Sequence, residues 1–142
     1  MTLQEVLVPG TVIELFCDFT TPPKSKLLVL VSLNPRLLFF IINSELNDFK
    51  KENEEVREHQ VQLMGDKHPT LLKHDSWVDC SKAIRLFDAQ EIARQLQCKL
   101  GIYRGVINNE ARVAIRSVVK ESRILENRYK NGILNDLKDL SS

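Results

Sequence analysis

The pattern of apolar and polar residues divides the chain into a strand-like first part and a helix-like second part. Short runs rich in β-branched and aromatic residues, separated by turn residues, predict strands. These runs cover residues 11–19, 27–33, 37–42, 60–64 and 76–87. After residue 87 the apolar residues recur every three or four positions, which predicts helices. Strands followed by helices indicate the α+β class, here a small, strongly twisted antiparallel sheet or barrel of five to six strands followed by two or three C-terminal helices.

The most apolar stretch of the chain, residues 26–45, predicts a β-hairpin. Asn34, Pro35 and Arg36 interrupt it in the middle, so neither half reaches the roughly 20 apolar residues that a membrane-spanning helix needs. Asn-Pro is typical of a turn. We therefore expect the two halves to pair as adjacent strands, and we expect no membrane anchor.

Capping residues predict where the helices begin. Asp88 followed by Glu91 resembles an N-cap with its reciprocal partner, and Asn108 is suited to cap a second helix. A third helical pattern runs through Leu125, Tyr129, Ile133, Leu137 and Leu140, whereas the charged segment 46–58 predicts a solvated loop or a short surface helix. We predict that residues 1–98 form the barrel with its closing helix, and that residues 99–142 form a helical extension packed on the barrel or on a partner.

Composition limits the classes of function. A chain of 142 residues with a formal net charge of +1 is suited to one globular domain, and its overall charge gives no argument for nucleic-acid binding. Cys17, Cys80 and Cys98 are odd in number and far apart, which indicates reduced cysteines in a cytoplasmic protein. No basic segment followed by an apolar run begins the chain, so we expect no secretion signal.

The search for metal and catalytic motifs leaves one open alternative. The pair His74-Asp75 is able to supply metal ligands or an acid–base couple, although a loop histidine beside a capping aspartate is the commoner arrangement. No nucleophile elbow, phosphate-binding loop or dinucleotide fingerprint occurs in the sequence. We expect neither a metal nor another cofactor, and Cys80 is interpreted as a core thiol.

Four basic residues fall on one side of the helix that Asn108 caps. With spacings of four, four and three residues they are Arg112, Arg116, Lys120 and Arg123. A surface that faces phosphate groups has this pattern. An ordinary solvated helix face has it too, so both interpretations stay open.

Three segments resemble motifs of the MazF/PemK family of toxins from bacterial toxin–antitoxin pairs. Pro9-Gly10-Thr11-Val12 resembles the G-D-[VI] that opens the family, residues 26–32 (KLLVLVS) resemble its R-P-x-x-V-L-S strand, and residues 75–86 resemble its D-S-x-V … [LI]-R-T strand. The resemblance covers about residues 1–98. It implies a small SH3-like barrel, usually dimeric, that in many members cleaves single-stranded RNA without a metal.

The resemblance also implies a site, with two departures from the family pattern. Lys26 takes the position of the family's loop arginine, and Leu86 takes the position of its threonine. Lys26 and Lys24 would stabilise the phosphorane while Arg85 positions the phosphate, with Ser25 beside them. Lysine lacks the bidentate fork of arginine, and leucine offers no polar group.

Three functions therefore remain open. The first is a toxin that acts as a metal-independent endoribonuclease. The second is the same barrel without nuclease chemistry, which binds single-stranded RNA or DNA, or a protein partner such as a cognate antitoxin or a defence-system subunit. The third is a structural domain whose C-terminal helices pair with another chain. The resemblance favours a homodimer.

Overall fold

The computed structural model describes residues 2–45, 52–68, 72 and 74–138, and these residues form an α+β fold. One antiparallel sheet of six strands curls into a half-barrel, with strand order β4-β5-β3-β2-β1-β6. The strands are β1 Thr11–Cys17, β2 Lys24–Ser32, β3 Leu38–Asn43, β4 Gln60–Leu63, β5 Ser76–Ile84 and β6 Ile102–Val106. The helices are α1 Leu3–Val6, α2 Glu54–Arg57, α3 Ala89–Gln97, α4 Asn109–Glu121 and α5 Asn127–Asp136.

The predicted hairpin is confirmed. Strands β2 and β3 pair in antiparallel register, with Leu28 opposite Ile41 and Leu30 opposite Phe39. Strands β1, β4 and β5 also lie where the apolar runs predict them, although β1 ends at Cys17 and β5 ends at Ile84. No helix in the described part of the chain has the length and apolar character that crossing a membrane requires.

Strand β6 was not predicted. It lies inside the segment assigned to a helical extension and adds an edge strand beside β1, with Thr11 opposite Val106 and Ile13 opposite Tyr103. The register shifts between these pairs, where Gly105 adopts a positive φ of 134° that favours glycine. Residues on both sides of the predicted boundary at residue 98 therefore share one sheet.

The sheet is covered on both faces, which explains the unbroken apolar run in β2. Alternate residues of β2 belong to two different cores. Val29 and Val31 pack with residues of α4 and α5, such as Ile115 and Ile133. The second core contains Leu28, Leu30, Val6 of α1 and Ile92 of α3. A strand that is buried on both faces carries no polar alternation.

The predicted helix starts are confirmed. The Asp88 side chain accepts a hydrogen bond from the backbone N–H of Glu91 at 2.8 Å, and the Asn108 side chain accepts one from Ala111 at 2.8 Å. The third helical pattern becomes α5, and its last predicted position, Leu140, lies outside the described residues. Residues 46–51 of the charged segment also lie outside the described residues, and the rest of that segment includes α2.

Helix α5 lies very close to the turn between β2 and β3. A Cβ atom on Gly132 would stand 2.8 Å from both the carbonyl oxygen of Asn34 and the Oγ of Ser32. Real Cβ atoms do not approach backbone oxygens so closely, so glycine is what lets the helix reach the turn. This contact places α5 against the loop that carries Arg36.

The three cysteines are free thiols. Cys17 and Cys80 are buried and Cys98 is exposed. Burial is the main reason that the pKa of Cys17 rises to about 11 and that the pKa of Cys80 lies well above its ordinary value. The two buried thiols are therefore unreactive core residues.

Candidate functional site

Lys26 and Lys24 lie on the same side of β2, near its beginning. The Nζ of Lys26 donates a hydrogen bond to the Oδ1 of Asn43 on β3 at 3.0 Å. Lys24 and Ser25 are exposed and pair across to Cys17 and Phe16 at the end of β1. The predicted basic group at the start of the hairpin is therefore present as a surface feature.

Arg85 lies at the other end of the sheet, directly after β5. It lines a groove of about 470 Å³ between the β2–β3 turn and the start of α3. The turn contributes Leu33, Arg36 and Leu37, and the segment after β5 contributes Arg85, Leu86 and Phe87. Asp88 also lines this groove, but its carboxylate is engaged in capping α3. We call this feature the arginine groove.

The predicted catalytic residues are not brought together. Ile84 pairs with Phe39, and Phe39 pairs with Leu30, which lies four residues beyond Lys26 on β2. At about 3.3 Å per residue, Lys26 and the position of Arg85 are separated by roughly 13 Å along the strands alone. The Arg85 guanidinium is also directed to Tyr129 of α5, while the Lys26 ammonium donates to Asn43 of β3, so the structure does not bring the two cations around one phosphate group.

The two cations of the arginine groove, Arg36 and Arg85, differ from other arginines of the protein in their ion pairs. Arg85 donates a hydrogen bond to the hydroxyl of Tyr129 at 2.9 Å. Within the described residues, neither Arg36 nor Arg85 forms an ion pair. By contrast, ion pairs with glutamates engage three other arginines, Arg94, Arg104 and Arg128.

Two of the four residues predicted to form a basic helix face are used inside the protein. Arg112 is only 7% exposed, and it donates hydrogen bonds to the carbonyl oxygens of Lys138 at 2.8 Å and Pro9 at 2.9 Å. Its guanidinium occupies the space that a Cβ on Gly10 would need. This placement corrects the prediction that Arg112 lies on a solvated or phosphate-facing surface.

Arg116 has a similar structural role. Its Nη1 donates to the carbonyl oxygens of Leu134 at 2.6 Å and Leu137 at 2.7 Å, at the end of α5. These carbonyls lack helical partners, and a nearby cation stabilises them. The sequence spacing indicated that this face of α4 is solvated. In the structure the C-terminal end of α5 packs against it.

The remaining two residues of that face are exposed, and the surroundings of one of them disfavour a phosphate group. Lys120 is exposed on α4. Arg123 lines a wide groove of about 830 Å³ whose other charged residues are all glutamates, Glu54, Glu55, Glu58 and Glu121. The negative potential of these glutamates disfavours an anionic ligand there.

The pair His74-Asp75 has a structural explanation. The Oδ1 of Asp75 accepts a hydrogen bond from the backbone N–H of Gly65 at 2.8 Å, and His74 is exposed beside it. Within the part of the chain that the structure describes, no group of three or more His, Cys, Asp or Glu residues is placed to hold a metal ion.

No protein-family model matches this chain, and no curated protein is significantly similar to it. The resemblance to the MazF/PemK family therefore stays a prediction that the residues quoted above support. Sequence reasoning did not identify Arg36, because a single arginine after Asn-Pro in a turn carries no signal until the fold places it beside Arg85.

Proposed function

We propose that this domain binds single-stranded RNA through the arginine groove and does not cleave it. The observation that supports the proposal is that Arg36 and Arg85 line one groove and form no ion pair within the described residues. Guanidinium groups match phosphate oxygens with two parallel hydrogen bonds. Two arginines that line one groove, and that form no ion pair among the described residues, are therefore suited to adjacent phosphates of a strand.

The contrast with the other arginines strengthens this interpretation. Arg112 and Arg116 donate to backbone carbonyls, and Arg94 donates two hydrogen bonds to Glu91 at 2.6 and 2.7 Å. The fold therefore uses most of its arginines for its own stability. Among the residues that the structure describes, Arg36 makes no such hydrogen bond or ion pair, which favours a role toward a ligand.

The placement of Lys26 and Arg85 at opposite ends of the hairpin argues against the nuclease hypothesis. Cleavage by transesterification needs a base, an acid and a cation around one phosphate group. Lys26 lies at the opposite end of the hairpin from Arg85, beside Asn43 of β3. Leu86, at the position of the family's threonine, is 61% exposed beside the groove and supplies no polar group.

The proposal retains the family resemblance as a hypothesis about origin. The curled sheet would be a divergent SH3-like barrel of the MazF/PemK type that has lost its nuclease chemistry and acts in the cytoplasm. A homodimer, and a cognate antitoxin or another protein partner, belong to the same hypothesis. The RNA-binding surface does not depend on either of them.

The test is RNA binding by charge-reversal variants of two surfaces. We expect a fluorescently labelled single-stranded RNA of about twelve nucleotides to bind with an affinity that falls as salt rises. The double variant R36E/R85E should bind at least about tenfold more weakly, because it loses two phosphate contacts. The matched control K120E/R123E changes the net charge equally and should bind nearly as well as the wild type.

The same preparation tests the alternative functions. Incubation of the wild-type protein with the RNA in EDTA should leave the strand intact. Discrete fragments that disappear in K26A would instead establish the endoribonuclease. If both double variants weaken RNA binding equally, binding depends on the overall charge of the protein and not on the arginine groove. If the wild-type protein binds no RNA at any salt concentration, RNA is rejected as the ligand.

A further inference from the structure

A row of four side chains crosses the sheet at the end opposite to the arginine groove. Strand register places Asn43 of β3 opposite Trp77 of β5, and Trp77 opposite Gln62 of β4. On the other side, the Nζ of Lys26 on β2 contacts Asn43 at 3.0 Å. Neighbouring strands are about 4.8 Å apart, so the row spans roughly 14 Å.

The four side chains lie on one face of the sheet. Side chains two residues apart on a strand point to the same face. Leu28 therefore shares the face of Lys26, and Ile41 shares the face of Asn43. Leu28 belongs to the core beneath α1 and α3, and Ile41 packs on it. Val61 and Val78, the residues adjacent to Gln62 and Trp77 in their strands, point into the other core. The row therefore continues the α1 and α3 face of the sheet at a place where the side chains are partly or fully exposed.

The chemistry of the row is suited to a nucleobase. Trp77 is the only tryptophan of the chain and has a carboxamide side chain on each side, Asn43 and Gln62. An indole ring provides a platform on which an unpaired base stacks, and carboxamides donate to and accept from base edges. Lys26, two strands away, provides a positive charge for the phosphate of the same nucleotide.

Two polar atoms near this row lack hydrogen-bond partners. The Nδ2 of Asn43 and the Oε1 of Gln60 are buried, and neither finds a partner among the described residues. The other polar atom of each side chain is engaged, since Asn43 Oδ1 accepts from Lys26 and Gln60 Nε2 donates to Asp79 Oδ1 at 3.0 Å. Unsatisfied buried amide atoms cost free energy, so a side-chain movement that brings this donor and this acceptor to the edge of a base stacked on Trp77 would satisfy them.

We infer that the row Lys26–Asn43–Trp77–Gln62 is a stacking site for one unpaired base of the bound RNA. This inference rests on the proposed function and adds to it a position that binds one base of the RNA. The arginine groove is lined by Leu33, Leu37 and Phe87, which belong to or pack on the same α1 and α3 core. The groove and the row lie at the two ends of this face, roughly 13 Å or more apart along the strands, a span that a few nucleotides of a single strand can cover.

Fluorescence of Trp77 tests the inference directly, because no other tryptophan contributes to the signal. Titration with the single-stranded RNA should quench or shift the emission over the same concentration range in which labelled RNA binds. An abasic oligomer of equal length keeps the phosphates and lacks the bases. It should bind through the arginines and leave the Trp77 emission unchanged.

Substitutions separate stacking from general binding. W77A should weaken RNA binding by about tenfold, whereas W77F should retain most of the affinity because it keeps an aromatic face. N43D keeps the oxygen that contacts Lys26 but removes the Nδ2 donor, and it should weaken binding by about threefold to tenfold. The matched control N131D, on the exposed face of α5, should bind like the wild type. Circular dichroism of each variant verifies that it is folded.

The outcomes distinguish this inference from the proposed function. If labelled RNA binds while the Trp77 emission stays constant and W77F, W77A and N43D bind like the wild type, the stacking site is rejected and the arginine groove stands. If the abasic oligomer changes the Trp77 emission as much as RNA does, the row does not recognise bases. If RNA does not bind at all, the proposed function fails and this inference fails with it.

Discussion

The carboxylate of Asp136 accepts a hydrogen bond of 2.6 Å from the backbone N–H of Leu33, and so joins the end of α5 to the β2–β3 turn. The same oxygen accepts hydrogen bonds from the N–H of Asn34 and the hydroxyl of Ser32, both at 3.1 Å. A single carboxylate therefore satisfies three donors. It also fixes the turn that holds Arg36 at the edge of the arginine groove.

We predict that D136A lowers the free energy of unfolding by about 2–4 kcal/mol, because it leaves turn donors without their charged acceptor. D136N should cost less, since its amide oxygen still accepts. Urea denaturation measures both, with N135A on the exposed side of the same helix as the control. A change below about 0.5 kcal/mol in D136A would contradict this account of the turn.

Arg116 should matter for stability and not for RNA binding. Its two hydrogen bonds to α5 carbonyls predict that R116A costs about 1.5–3 kcal/mol, since hydrogen bonds to charged groups contribute at this level. K120A, one turn further along α4 and exposed, should stay within about 0.5 kcal/mol of the wild type. Thermal or urea unfolding measures the difference. If K120A cost as much as R116A, the assignment of Arg116 to the end of α5 would be wrong.

The ion pair between Glu91 and Arg94 predicts a pH dependence in the acid range. Hydrogen bonds from Arg94 and then from Gln95 lower the pKa of Glu91 from its ordinary 4.5 to about 2. Because the folded pKa lies below the unfolded one, the stabilisation is present above pH 4.5 and is lost as the pH falls toward 2. Both side chains are partly exposed, so solvent screening keeps this contribution to stability small.

Carbon-13 NMR of the Glu91 carboxyl during an acid titration measures this pKa. In R94A the midpoint should move up toward the ordinary value, and E91Q should remove the corresponding slope of stability with pH. A wild-type midpoint close to 4.5 would show that the pair does not persist in solution.

The strands with long apolar runs were predictable because their signal is local. The apolar composition of residues 27–33 and 37–42, with Asn-Pro between them, is enough to predict the hairpin. The capping side chains of Asp88 and Asn108 are enough to predict where their helices begin. Strand β6 gives no such signal. It is a short edge strand with two glycines at or beside it, and exposed and half-exposed residues alternate along it without a buried apolar face.

The candidate site was less predictable because it depends on which surfaces meet. Helical spacing correctly places Arg112 and Arg116 on one side of α4, but it does not indicate that α5 ends against that side. Likewise, Arg36 and Arg85 are 49 positions apart in sequence (85 − 36), and only the pairing of β3 with β5 brings them to one groove. Local pattern identifies elements, whereas convergence of distant side chains depends on topology.

The position of β6 beside β1 affects how the protein is made. Strand β1 pairs with β6, which lies about ninety residues later in the sequence. The turn after β2 is likewise held by Asp136, which lies near the end of the described chain. Closing such long intervals carries an entropic cost that slows assembly compared with local hairpins. During synthesis on the ribosome the hairpin can form early, but the β1 edge stays open to other chains until residues 102–106 have emerged.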